Sequence, residues 1–176
     1  MKQKIFGVTV AKLTASFGQT IYMVGLSLFF GAILGILLAL VLVLCRKGGL
    51  KENRIVYGIV STFVNIVRSV PFVILIVTIM PLTRAIMGTT IGSTAALGPL
   101  IFYISPYMAR LVENSLLEVS DGIIEAARAM GATTFQTVWN FLLPEALGSI
   151  VLALTTGTIG LLGASAMAGY VGGGGI

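Results

Sequence analysis

Four long apolar stretches, separated by short polar ones, set the pattern of this chain. Residues 21–45 carry no charge, and 25 residues suffice for one tilted membrane helix. Residues 55–79 form a second stretch, interrupted by Arg68, and a third runs over about residues 95–109 with Pro99 and Pro106 inside it. The fourth is an uncharged run from Ala146 to Ile176 that ends in four consecutive glycines, which fit a loop leaving a helix. Residues 1–18, with Lys2, Lys4 and Lys12, read as an interfacial lead-in. A signal peptide is the competing reading, but its apolar core would be too long and no small-residue cleavage site follows. The pattern predicts an all-α integral membrane protein of one domain, residues 1–176, with four visible spans.

Several residues qualify these spans. Pro71 has no N–H for the Val67 carbonyl and predicts a kink in the second span. Arg68 beside it is costly in lipid, so it either faces protein or water, as part of a translocation path, or snorkels to the head groups. Pro99 and Pro106 suggest a bent helix lining a cavity, although packing alone can hold such prolines. Gly31 and Gly35 form one small-residue ridge, and Gly157, Gly160, Ala164 and Ala168 another, both suited to close helix packing. Residues 46–54 are a tight basic loop, residues 81–94 a loop rich in Gly and Thr, and Arg110 with Glu113 marks the polar exit of the third span.

Between the third and fourth spans lies a polar, helix-forming island, residues 121–144. Ser120 or Asp121 can cap a first short helix, whose apolar face would be Ile123, Ala127 and Met130. Gly131 is its natural stop, because a left-handed residue costs glycine least. Thr133 and Gln136 have the spacing of a capping box that opens a second helix, and Pro144 is expected to close it. Two short helices with a glycine elbow are therefore predicted at the membrane surface.

Composition removes whole classes of function. The chain is 57% hydrophobic and 10% charged, far from soluble averages of roughly a quarter charged. It has no histidine and one cysteine, Cys45, which excludes Cys/His metal sites, histidine-based triads and intrachain disulfides. No cofactor or metal is expected. The net charge of +5 comes from scattered basic residues flanking apolar segments, which points to lipid head groups and not to nucleic acid. No P-loop motif is present, so ATP-driven work would need a separate subunit. With the N-terminus outside, the inner segments carry Arg46, Lys47, Lys51, Arg54, Arg110 and Arg128; the reverse puts Lys2, Lys4, Lys12 and Arg84 inside. That is a lean toward the first orientation under the positive-inside rule.

Glu125-Ala126-Ala127, Gly131 six residues after the Glu, and distal Leu143-Pro144 resemble the EAA signature of ABC-importer permeases. Phe141 stands where the usual Ile would be and stays apolar. NIVRSVPF, YMARLVENSLLEV, GIIEAARAMGAT, LLPEAL and GASAMAGYVGGGG extend the resemblance over nearly the whole chain, to the permease family of methionine ABC importers. The resemblance implies a type I importer transmembrane domain in a bacterial cytoplasmic membrane, working as a homodimer with five helices per subunit. It implies two cytoplasmic ATP-binding subunits, an extracytoplasmic binding protein and methionine as substrate. It also implies that residues 121–144 are the ATPase-coupling loop, and so cytoplasmic, with Glu125, Ala126, Ala127, Gly131, Leu143 and Pro144 as its site. No residue would do covalent chemistry; the chain is a transport subunit and not an enzyme. Since four spans are visible where the family has five, the reading frame is expected to continue past Ile176 with one more apolar run. The alternatives are a permease for another amino acid or small peptide, an ATP-independent carrier or channel, and a membrane anchor. Arg68 is the only ionisable group inside the expected spans that would mark an ion-coupled path, and an anchor needs no polar elbow.

Overall fold

A computed structural model describes residues 4–5 and 8–175 of the chain. Apart from a two-residue antiparallel ladder, β1 (Lys4–Ile5) with β2 (Val8–Thr9), the described residues form helices joined by short turns. These are α1 (Val10–Cys45), α2 (Arg54–Ser69), α3 (Phe72–Met87), α4 (Ser93–Leu117), α5 (Asp121–Ala129), α6 (Thr134–Thr137) and α7 (Leu143–Ala168). A π-helical turn, Val138–Leu142, joins α6 to α7, and after α7 the backbone leaves the helical region at Val171 and Gly172, the latter at φ 93°.

Helix α4 is the axis. Along its whole length one residue after another is buried, from Ala95 to Leu116, with α1, α7, α2 and α3 packed around it. Two large apolar clusters, with a small third one at Leu42, Val64 and Ala109, divide the bundle. Met23, Leu100, Ile104, Met108, Leu161 and Ala168 belong to the one that also receives Phe72, Leu75 and Ile76 of α3. Ala39, Val43, Val112, Leu116, Val138 and Leu142 belong to the other, beside the polar island.

Both small-residue ridges pack on α4, as close helix approach in lipid requires. A Cβ on Gly35 would lie 2.5 Å from Met108 Cβ and 3.0 Å from the Ser105 carbonyl oxygen, and one on Gly157 would collide with the Met108 thioether. Met108 thus fills a gap left by glycines of two different helices. Gly35→Leu should overpack this point by ~1–3 kcal/mol and lower the melting temperature of the detergent-solubilised protein. Adding Met108→Ala should not recover the loss, because alanine keeps the Cβ and the backbone that a Gly35 side chain meets; an unchanged melting point in the single variant would mean the contact is slack.

The spans depart from the hydrophobic pattern in several places. Helix α1 begins at Val10, inside the expected lead-in, because exposed Lys12, Thr14 and Gln19 interrupt its apolarity without breaking the helix. The second stretch is two helices, not one kinked span: α2 and α3 meet at 110° across Val70–Pro71. Pro71 is the N-cap of α3, and the Val70 N–H reaches the Val67 carbonyl at 3.3 Å. Among the described residues three helices are long and apolar enough to cross a membrane, or four if the bent pair counts as one span. The loop expected over residues 81–94 is shorter, since α3 runs through Pro81, on its exposed side, to Met87, and ends at Gly88 with φ 74°. Helix α4 extends eight residues past the expected exit at residue 109.

Residues 46–54 make the turn between α1 and α2. Gly48 holds φ 78°, Lys51 N–H returns to the Leu44 carbonyl at 3.0 Å, and Asn53 caps α2 by accepting from Ile55 and Val56. The Gly48 amide and then Arg54 hold the exposed Glu52 carboxyl below its usual range. Its ties are therefore fully present above the ordinary carboxylate range and are lost as pH falls through the lowered value.

Candidate functional site

The island is built by local chemistry. Ser120 Oγ accepts from the Gly122 amide at 3.3 Å, and Asp121 places a carboxylate in the first turn of α5, at the positive end of its dipole. At the other end, Gly131 N–H donates to the Arg128 carbonyl (2.9 Å) and Ala132 N–H to the Ala127 carbonyl (3.0 Å). With Gly131 at φ 76°, these two bonds make a Schellman motif, which ends the helix and turns the chain. Thr133 and Gln136 then close a reciprocal capping box: Thr133 Oγ1 accepts from the Gln136 amide (3.3 Å) and Gln136 Oε1 from the Thr133 amide (2.9 Å).

The second half of the island differs from the expected short helix. Pro144 does not close it; the helical path runs on from Thr134 through α7 to Ala168. Pro144 offers no N–H and its ring excludes the carbonyl four residues back, so an ordinary α turn cannot pass through it. The π turn supplies one extra residue, with the Leu143 N–H donating to the Val138 carbonyl, and α7 restarts with Pro144 in its first turn. The island and the last membrane helix are therefore one rod.

The signature residues divide between two faces. Glu125, Ala126, Gly131 and Pro144 are exposed, Leu143 is half-buried, and Ala127 is fully buried. Ala127 thus belongs to the support of the exposed surface and not to the surface itself. The inner face of α5 is Ile123, Ile124 and Ala127; Met130 instead points outward, 67% exposed, because the helix ends at Ala129. Met130 joins Phe135 and Trp139, whose rings stack at 6.2 Å, as exposed apolar groups near the elbow. Phe135 and Trp139 were missed in the sequence; the signal was aromatic residues four apart on a helix whose inner face is Val138 and Leu142.

The basic turn and the island lie at one end of the bundle. Arg46, Lys47 and Gly49 share a cleft of 330 Å³ with Asp121, Glu125 and Arg128. Ser149 Oγ donates to Glu118 at 2.7 Å and ties the end of α4 to α7 just below.

Arg110 and Glu113 do not mark an exit. Their side chains are 16% and 4% exposed and pair at 2.6 Å between α4 and α2, where Arg110 also donates to Ser61 Oγ (2.6 Å) and Asn65 Oδ1 (3.0 Å). An acidic group is therefore embedded in the bundle after all. Arg68 stands exposed in the last turn of α2, next to the break at Pro71, with its guanidinium 5.9 Å from the centre of the Tyr107 ring. Pro106 lines a 450 Å³ apolar groove with Leu37, Phe63 and Phe102, between α1, α2 and α4. Among the described residues no cluster of Asp, Glu, Cys and His has the makings of a metal site.

Known proteins share this arrangement. The D-methionine transport system permease protein MetI of Escherichia coli (strain K12) is 49% identical over 86% of this chain and 70% of its own length. The probable D-methionine transport system permease protein MetI of Vibrio cholerae is 48% identical over 93% of this chain and 72% of its own length. Inward-facing MetNI methionine ABC transporter superposes with a TM-score of 0.92 at 47% identity, over 94% of this chain and 77% of that one. Residues 31–176 match the description "binding-protein-dependent transport system inner membrane component", so the chain, an unbroken helical rod rising from a capped elbow, belongs to that family of membrane permeases.

Proposed function

We propose that this chain is the permease subunit of an ATP-driven methionine importer of the bacterial cytoplasmic membrane. It works as a homodimer with two copies of a cytoplasmic ATP-binding subunit, which alone hydrolyse ATP, and receives its substrate from an extracytoplasmic binding protein. The observation that carries this reading is the continuity of the elbow with α7. ATP binding elsewhere can bias a transport equilibrium only through a contact that differs between its states. A rigid rod from Thr134 into the membrane converts a displacement of the elbow into a tilt of α7, and α7 packs directly on α4. Glu125, Ala126 and Gly131 present the docking surface, Ala127 holds it to the bundle, and Leu143 with Pro144 forms the joint to the rod. Arg68 and Pro71, at the break between α2 and α3, lie on the translocation path.

The decisive experiment reconstitutes the chain with its ATP-binding subunit in proteoliposomes, binding protein on one side and ATP on the other. Labelled methionine should accumulate only when ATP and binding protein are both supplied. Equal uptake without ATP would identify a secondary carrier and overturn the proposal.

A further inference from the structure

We propose that Arg68, Tyr103 and Tyr107, backed by Phe72, form a subsite within the membrane for the transported amino acid. The guanidinium takes the carboxylate, and the tyrosine rings take a flexible apolar side chain of the thioether type. The inference rests on the reading of the chain as a methionine permease and adds where, on this subunit, the substrate is held.

Position comes first. Tyr103 and Tyr107 lie in the middle of α4, roughly 15–20 Å from either helix end at 1.5 Å per residue. Arg68 faces Tyr107 and so shares that depth. Snorkelling would carry the guanidinium away from the Tyr107 face that it meets. A cation at such depth needs a partner. Arg110 has one, together with Ser61 and Asn65. Arg68 has the face of Tyr107 and no anion: among the described residues the ion pairs use Arg54 and Arg110, and no hydrogen bond of the Arg68 side chain is formed. It is exposed, beside a helix break that opens the packing on that side.

The chemistry of the walls completes the case. Tyr103 and Tyr107 are stacked at 6.3 Å and 15°, and Phe72 meets Tyr103 edge-on at 5.1 Å, which fixes the first ring's orientation. Both tyrosines are half-buried and keep open surface. Across from Tyr107 stands Gly160 of α7, where an added Cβ would lie in ordinary contact, 3.8 Å from the ring, so α7 walls this side of the site. A guanidinium fork matches a carboxylate in both geometry and charge. Sulfur and methylene groups pack favourably against aromatic rings, and an unbranched thioether adapts to them with little strain. Carboxylate and apolar tail are the two ends of methionine.

The test uses the assembled permease–ATPase complex in nanodiscs, in a Cys45→Ala background carrying Gly160→Cys, which places a thiol beside Tyr107 without removing a subsite residue. Saturating L-methionine should slow maleimide alkylation of the introduced thiol ~fivefold, as expected for a site that buries most of its ligand. The decarboxylated analogue of methionine should give no protection. Arg68→Gln should abolish protection, and Arg68→Lys, which keeps the charge without the fork, should retain part of it. Equal rates with and without methionine, equal protection by the decarboxylated analogue, or full protection in Arg68→Gln would each overturn the subsite. If Arg68→Gln fails to assemble, Arg68→Lys and the analogue decide. ATP-driven uptake by the wild-type complex separates the two claims: its absence defeats the importer reading, whereas uptake without protection defeats the subsite alone.

Discussion

Gly131→Leu should abolish ATP-driven uptake while the permease still inserts and packs. Gly131 holds φ 76° and closes the Schellman motif between α5 and the long rod, so a leucine there stores ~1–2 kcal/mol of backbone strain. Nothing stands within 4 Å of an added Cβ, so the bundle itself does not resist the change. The side chain instead projects from the exposed elbow into whatever docks there. Gly131→Asn separates the two effects, because asparagine tolerates the left-handed region yet adds less bulk than leucine; it should keep more uptake. Glu125→Lys reverses the charge of the exposed signature carboxylate and should likewise weaken co-purification with the ATP-binding subunit. Normal uptake by both Gly131→Leu and Glu125→Lys, in complexes of normal yield, would remove the docking role from this surface.

That surface was legible in the sequence because its signals are local. A cap, a left-handed glycine and a capping box each involve residues two to five apart, and all form between the residues that carry them. Span composition was legible for the same reason. What escaped depends on partners distant in sequence or on small changes of helical register. Arg110 and Glu113 read as the end of a span, since paired charges usually leave the membrane; Ser61 and Asn65, which accept from Arg110, come from 45 to 49 residues earlier. Pro144 read as a stop, yet one extra residue in a π turn absorbs it. The inward positions Val138, Leu142, Ala146 and Ile150 keep a spacing of four through that turn, so periodicity carries no trace of it. Pro71 announced a bend but not its size, because 110° is set by how Phe72, Leu75 and Ile76 find the cluster on α4.

The buried pair leads to the second large effect: Glu113→Ala should be among the most destabilising single changes in the bundle. It leaves the Arg110 guanidinium, 16% exposed, without its carboxylate between α2 and α4. Breaking a buried pair by removing one partner costs ~3–5 kcal/mol, mostly because the remaining charge stays desolvated. Ser61 and Asn65 still accept from the other guanidinium nitrogen, which favours the lower end of that range. Removing both charges is a different matter. Apolar replacements of similar volume, Arg110→Met with Glu113→Leu, relieve the desolvation of both groups, and such exchanges are often neutral or stabilising. The double variant should therefore melt well above Glu113→Ala in detergent, near the unmodified protein. It would also show whether the pair serves movement instead of stability. Asn65 and Arg68 sit one turn apart on α2, so Arg110 fixes the register in which Arg68 meets Tyr107. A double variant that melts normally but takes up methionine slowly would assign the pair to holding that register. If Glu113→Ala melts no lower than the double variant, the pair carries no buried-charge energy and the geometry at 2.6 Å is incidental.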